Sequence, residues 1–256
     1  MTTFWKFSQS VCLALALSFQ FHLCAATDEA GKFSGTVVDA QGNPVAGAAV
    51  VCYQYPIRAA LWSFDPEAKQ QVVTGGQGAF EFSTIQGPGV VLVTKAGMAP
   101  AWRSLYSAQS ETQKIVLSAS ASLSGTVVDD AGQPVAGAEV WVWSVVNKAM
   151  SDGGQPDFLF GKIARGLFSV RTSADGKFRI ENFPADAKAG LGVKKSGLAM
   201  QQNANPLRYD ELPFHAGQKD ITLTLDPAGS VTGKVVVRGT GQLLAFFFAA
   251  RRRRWR

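Results

Sequence analysis

The chain predicts an all-β protein built of tandem Greek-key β-sandwiches, the third of them cut short. Three observations carry this. The stretch SGTVVDAQGNPVAGAAV, from Ser34 to Val50, returns as SGTVVDDAGQPVAGAEV from Ser124 to Val140, and an internal repeat marks a structural unit written more than once. Short segments after each opening alternate apolar and polar residues with a period of two, as half-buried strands do. Glycine, proline and aspartate punctuate these segments, with no convincing helical periodicity between them.

Each copy opens on a β-branched run, GTVVD, and a turn, AQGNP at Ala40 to Pro44 or DAGQP at Asp130 to Pro134. Glycine permits a positive φ there and proline ends the strand. A second strand follows, VAGAAVVCYQY or VAGAEVWVWSV, and the pair reads as a β-hairpin. In the second copy strict alternation puts Val140, Val142 and Ser144 on one face and Trp141, Trp143 and Val145 on the other. Further on, TGGQGAFEF from Thr74 and TSADGKFRI from Thr172 share a threonine, then a glycine four residues later, then a phenylalanine. GVVLVTKAGM from Gly89 matches GLGVKKSGLAM from Gly190, and QKIVLSAS from Gln113 matches KDITLTLD from Lys219. Six or seven short strands per copy fit a sandwich of about 90 to 110 residues. The shared turn and strand positions are Gly35, Gly42, Pro44, Gly47, Gly78 and Phe80, then Gly125, Gly132, Pro134, Gly137, Gly176 and Phe178.

The expected organisation is a signal peptide at 1–26, sandwiches at 31–119 and 120–227, the start of a third repeat at 228–242, and an apolar, arginine-rich tail at 243–256 that is disordered or artefactual. The leader has one charge, Lys6, before an apolar run ending in small residues near Ala25 and Ala26, the layout of an export signal. Its run from Val11 to Leu23 is shorter than the roughly 20 residues a spanning helix needs, so no stable membrane span is expected. The third opening, GSVTGKVVVRGTGQ from Gly229, gives way to LLAFFFAARRRRWR. That abrupt loss of pattern reads as a truncated or frame-shifted end, with more copies in the intact chain. The join LSASASLSG is short and serine-rich, a direct strand-to-strand passage with limited freedom.

Lys6 and the arginines of the last six residues account for the whole excess of 25 basic over 19 acidic residues. The sandwiches are therefore neutral, and no basic face for nucleic acid is implied. Cleavage of the leader would remove Cys12 and Cys24 and leave Cys52, which has no partner for an internal disulfide and reads as a small core residue. His215 is then the only histidine, too few for a zinc site of about four ligands. No G-x-S-x-G elbow offers a nucleophile, and His215 reads as an exposed loop residue.

The paired elements GTVVDAQGNPVAGAAV with TGGQGAFEF, and GTVVDDAGQPVAGAEV with TSADGKFRIENFPADAKAGLGVKKSG, resemble the carboxypeptidase regulatory-like domain family, prealbumin-like β-sandwich modules repeated in secreted bacterial proteins. The resemblance covers most of Gly31 to Asp226 and the third opening to Gln242. It implies a fold and export, not an active site: the chain lacks the two histidines and glutamate of a zinc carboxypeptidase. Some relatives form Lys to Asn isopeptide bonds; Lys32 stands near the first strand of copy one, but copy two has Ser122 and Leu123 there.

The function expected is a non-catalytic binding or spacer protein of the cell envelope or extracellular space, without cofactor or metal, whose partner is a protein or polysaccharide. The alternatives are carbohydrate binding through loop aromatics, or an accessory part of a larger enzyme or receptor. Sugars stack on exposed rings, which nominates Trp62, Trp102, Tyr106, Phe158 and Phe160 near the variable segments. Trp62 and Trp102 are expected in loops; Trp141 and Trp143 are expected in core or inter-domain packing. The copies differ most where Gln54 to Val73 faces the longer Ser144 to Arg171, and function gathers at such insertions.

Overall fold

The computed structural model describes residues 31–54, 67–85, 88–105, 111–147, 157–199, 201–202, 212–230, 235–236 and 243–244. The first sandwich comprises β1 (Gly31–Asp39), β2 (Ala49–Gln54), β3 (Glu67–Val73), β4 (Ala79–Ile85), β5 (Gly89–Thr94), β6 (Ala101–Leu105) and β7 (Glu111–Leu117). One sheet has the order β4-β1-β7 and the other β3-β2-β5-β6. Phe33, Val37, Phe80, Phe82, Ile115 and Leu117 of the first face Val50, Cys52, Val91 and Val93 of the second in a single core. The Cys52 thiol is buried there, and burial pushes its pKa up to about 11.

The second sandwich comprises β8 (Ser120–Asp129), β9 (Glu139–Asn147), β10 (Asp157–Phe160), the helix α1 (Gly161–Leu167), β11 (Ser169–Arg171), β12 (Lys177–Pro184), β13 (Ala187–Lys194), β14 (Gln201–Gln202), β15 (Phe214–His215) and β16 (Ile221–Leu225). Its sheets have the orders β12-β8-β16 and β10-β9-β13-β14, with β11 also on β9 and β15 also on β13. The all-β expectation holds apart from α1, which interrupts the strand running beside β9. His215 is exposed, as expected, but sits in the short strand β15. At the far end β17 (Val235–Val236) pairs with β18 (Leu243–Leu244), so the third opening meets the first residues of the tail; the rest of the tail lies outside the described residues.

The expected hairpin does not form. β1 is flanked on both sides by β4 and β7, and β2 by β3 and β5, so β1 and β2 lie in opposite sheets. The turn between them returns only as far as a single bridge, Val38 with Pro44, repeated as Val128 with Pro134. Asp39 organises it: one carboxylate oxygen accepts from the Gln41 and Asn43 amides at 2.9 and 2.8 Å. Asp129 does the same for Ala131 and Gln133 at 3.0 and 2.7 Å. This is an aspartate side chain mimicking a backbone turn.

The two separated motifs of the repeat touch. Thr74 donates its hydroxyl to the Val45 carbonyl at 2.7 Å and accepts from the Ala48 amide at 2.9 Å; Thr172 repeats this with Val135 and Ala138 at 2.7 and 2.8 Å. Each threonine thus pins the crossover between the sheets. Four residues on, Gly78 and Gly176 take φ of 69° and 74° with their backbone against the Val37 and Val127 carbonyls, where no side chain fits. Phe80 and Phe178 then pair with Gly35 and Gly125. Thr172→Val keeps the shape but strands a buried carbonyl and a buried amide, and the expected loss is about 2–4 kcal/mol. A lowered urea midpoint at unchanged slope would record it; a midpoint within error of the wild type would refute the pinning role.

Candidate functional site: the joint between the sandwiches

β5 is buried on both faces from Gly89 to Val93, which a sandwich strand with one solvent face would not be. The reason lies in the second sandwich. Val91 and Val93 point into the first core, whereas Val90, Leu92 and Trp102 belong to one contiguous apolar cluster with Leu159, Ala164 and Phe168, with Tyr53 and Leu167 packed against it. β10 and α1 lie in the stretch, Ser144 to Arg171, over which the second copy is longer than the first. They are spent on the contact between the sandwiches.

The polar centre of the joint is Asp157, whose side chain is 3% exposed. Its main-chain oxygen accepts from the Trp102 indole at 2.8 Å. One carboxylate oxygen accepts from the Ser104 amide at 2.8 Å and the other from Arg103 at 2.9 Å. Three consecutive residues of β6 therefore grip one residue of β10. Burial pushes the Asp157 carboxyl above its ordinary range, with the Ser104 amide and the Arg103 guanidinium pulling against it. A carboxyl that binds its proton more readily when folded costs stability as pH rises through that window. Relative to Asp157→Asn, which does not titrate, the wild type should gain stability as the pH falls toward the ordinary carboxylate range. Parallel denaturation curves of the two proteins check this, and a difference constant with pH would refute it.

Trp102 is therefore not a loop aromatic: it lies in β6, is 3% exposed and is consumed by the joint. Trp62 and Tyr106 lie outside the described residues. Phe158 and Phe160 are half-buried on β10 and stack on each other with centroids 5.2 Å apart. An open cleft of about 440 Å³ lies beside the joint, between Thr94, Lys95 and Met98 of one sandwich and Leu167, Phe168 and Asn182 of the other. Asn182 has φ 54° and stands where β12 shifts register against β8. Lys95 crosses its rim to bond the Ala46 carbonyl at 2.9 Å.

The outer face of β9 departs from strict alternation. The register between β9 and β13 shifts at Gly190, a bulge that places an extra residue on one strand. Val140 and Val142 point into the core as expected, but Val145 joins them, and Ser144 turns outward beside Trp141 and Trp143. The two indoles lie over Gly192 and Gly190, whose missing side chains make room for them. Arg165 of α1 covers Trp141 with its guanidinium 4.6 Å from the ring centroid, a cation–π contact, and its Nε donates to Glu139 at 2.8 Å. Lys194 reaches the same carboxylate at 3.2 Å. The Trp143 Nε1 and the Ser144 Oγ are buried and meet no hydrogen-bond partner among the described residues. The bulge that collects them leaves no trace in the order of residue types.

No known family profile matches the chain, and no curated protein matches it. Among solved structures, a shaft pilin of Lactobacillus rhamnosus GG is 12% identical over 79% of this chain and 98% of its own, with a TM-score of 0.28. A minor pilin of Streptococcus agalactiae is 16% identical over 82% of this chain and 100% of its own, with a TM-score of 0.31. A streptococcal ancillary pilin is 14% identical over 79% of this chain and 63% of its own, at 0.31. At such identities and TM-scores the likeness bears on neither partner nor activity. Among the described residues no group of three or more His, Cys, Asp or Glu is placed to hold a metal, and no helix is long and apolar enough to cross a membrane. Lys32 of β1 is more than half exposed and pairs with Glu81 at 2.8 Å.

Proposed function

We propose that the chain is an exported, non-catalytic spacer of the cell envelope or extracellular space, made of sandwiches of the carboxypeptidase regulatory-like type. In this reading the modules at 31–119 and 120–227 hold their surface loops in one fixed relation for a protein or polysaccharide partner. The observation that supports it best is the shared core at the joint: domains held only by a linker move by default, and a buried apolar contact with a buried polar lock removes that freedom. Small-angle X-ray scattering on the exported protein tests the reading. One fixed particle shape is the expected result, and a curve that only a spread of orientations can fit would overturn it. Export is tested by sequencing the amino terminus after expression in a bacterial host: a start near Thr27 is expected, and retention of Met1 inside the cell counts against it.

A second reading has a specific observation in its favour. The half-buried rings of Trp143, Phe158 and Phe160 lie on the outer face of β9 and β10, and a sugar would find in them faces on which to stack. A glycan array run beside Trp143→Ala decides it. Binding lost in the variant supports the sugar site, and no binding by the wild type removes it for the sugars printed.

A further inference from the structure

In each sandwich the strand by which the chain enters and the strand by which it leaves are neighbours, and they run parallel. β1 pairs with β7 from Phe33 opposite Glu111 to Asp39 opposite Leu117 without a register shift. β8 pairs with β16 from Gly125 opposite Ile221 to Asp129 opposite Leu225, again without a shift. Because the strands are parallel, the entry end of the first and the exit end of the last lie at opposite ends of the ladder. A pull on the two ends of the chain therefore slides one strand along the other. Every hydrogen bond between the pair is loaded at once, and none opens until many do. Had the same strands been antiparallel, entry and exit would share one end and the bonds would break one after another from it.

Load passes between the sandwiches by a short route. β7 ends at Leu117 and β8 begins at Ser120, so tension leaving the first ladder enters the second through two residues. Both ladders also lie at closed interiors. Ile115 and Leu117 of β7, and Ile221, Leu223 and Leu225 of β16, are core residues, so sliding either strand drags buried side chains through packed neighbours.

We propose that this chain bears tension along its length, with the two parallel ladders as the load-carrying elements; the proposal rests on the spacer reading and adds a mechanical task to it. Single-molecule pulling of the full chain tests it in two geometries. With handles at the two termini, each sandwich should open in a discrete event, releasing about 300 Å of chain for the first and about 370 Å for the second before the folded length is subtracted. With handles at Gln41 and Ser118, both beyond the exit ends of β1 and β7, the same ladder is peeled instead of sheared. The end-to-end force for the first sandwich should exceed the peeling force at least about three-fold at equal loading rate, a difference in the forced unfolding rate that equilibrium stability does not set. Equal forces in the two geometries, or end-to-end extension without discrete events, would overturn the proposal. Either result leaves the scattering test of the spacer reading untouched. Equal urea midpoints for the two handle-bearing chains confirm that both are folded.

Discussion

Replacing Gly125 by alanine should unfold the second sandwich under conditions where the wild type is fully folded. The β-carbon would overlap the carbonyl oxygen of Ile221 and lie 2.7 Å from its carbon and 2.8 Å from its Cβ, on the strand that pairs in parallel with β8. Backbone cannot rotate aside as a side chain can, so the two strands must part or the ladder must shift. Overpacking of a close-packed site costs about 1–3 kcal/mol and more where only backbone can give, and the loss expected here is about 3–5 kcal/mol. Gly35→Ala should do the same to the first sandwich, where the clash is with the Gln113 carbonyl and with Phe80 ring atoms at 2.8 and 2.9 Å. Gly42→Ala is the control. Its φ of 88° strains an alanine, but nothing stands within 4 Å, so the cost should stay near the 1–2 kcal/mol (about) of a left-handed residue. Urea denaturation of the three variants checks the order. A Gly125→Ala protein as stable as the Gly42→Ala one would mean that the ladder has slack the structure does not show.

The second large effect is expected at Trp102. Trp102→Ala removes the ring that joins the cores and leaves the Asp157 main-chain oxygen without its indole donor. A Trp→Ala substitution in a core costs about 3–5 kcal/mol. Here part of that loss should appear as lost coupling: the wild type is expected to unfold in one transition and the variant in two, one for each sandwich, each with a shallower dependence on urea. Scattering from the variant should also show a looser particle. Trp102→Phe keeps most of the buried area and loses only the hydrogen bond, so it should stay coupled at a cost of about 1–2 kcal/mol. If Trp102→Ala unfolds in one transition with the wild-type slope, the joint does not couple the sandwiches.

The repeat made the sandwiches legible because its residues act locally. Asp39 caps its own turn, Thr74 and Gly78 close a crossover within one sandwich, and the same letters recur 90 or so positions later for the same reasons. The strand partners were less legible. A strand, a tight turn and a second strand read as a hairpin, yet the choice between pairing and crossing is made by β4 and β7, whose claim on both edges of β1 is a tertiary fact. Trp102 reads as a loop residue because AWRSL follows a proline and is short, with no long alternation to mark it as a strand. The indole's acceptor is on Asp157, 55 positions on, and nothing near either residue names the other. The longer stretch in the second copy is visible in the sequence as a place where function gathers; that it supplies the contact between the two sandwiches is visible only in the fold. The shift at Trp143 and Ser144 is of the same kind, since a bulge changes which way residues face without changing which residues they are.

The helix α1 has one further consequence. Among the described residues it occurs in the second copy and has no counterpart in the first. The two copies, however alike their openings, are therefore not interchangeable: with their order reversed, Trp102 would meet no Asp157 and α1 would face away from the surface it fits. A duplication that began as two equal words has become a sentence with a fixed word order, and any shuffling of such modules would have to carry the seam along with them.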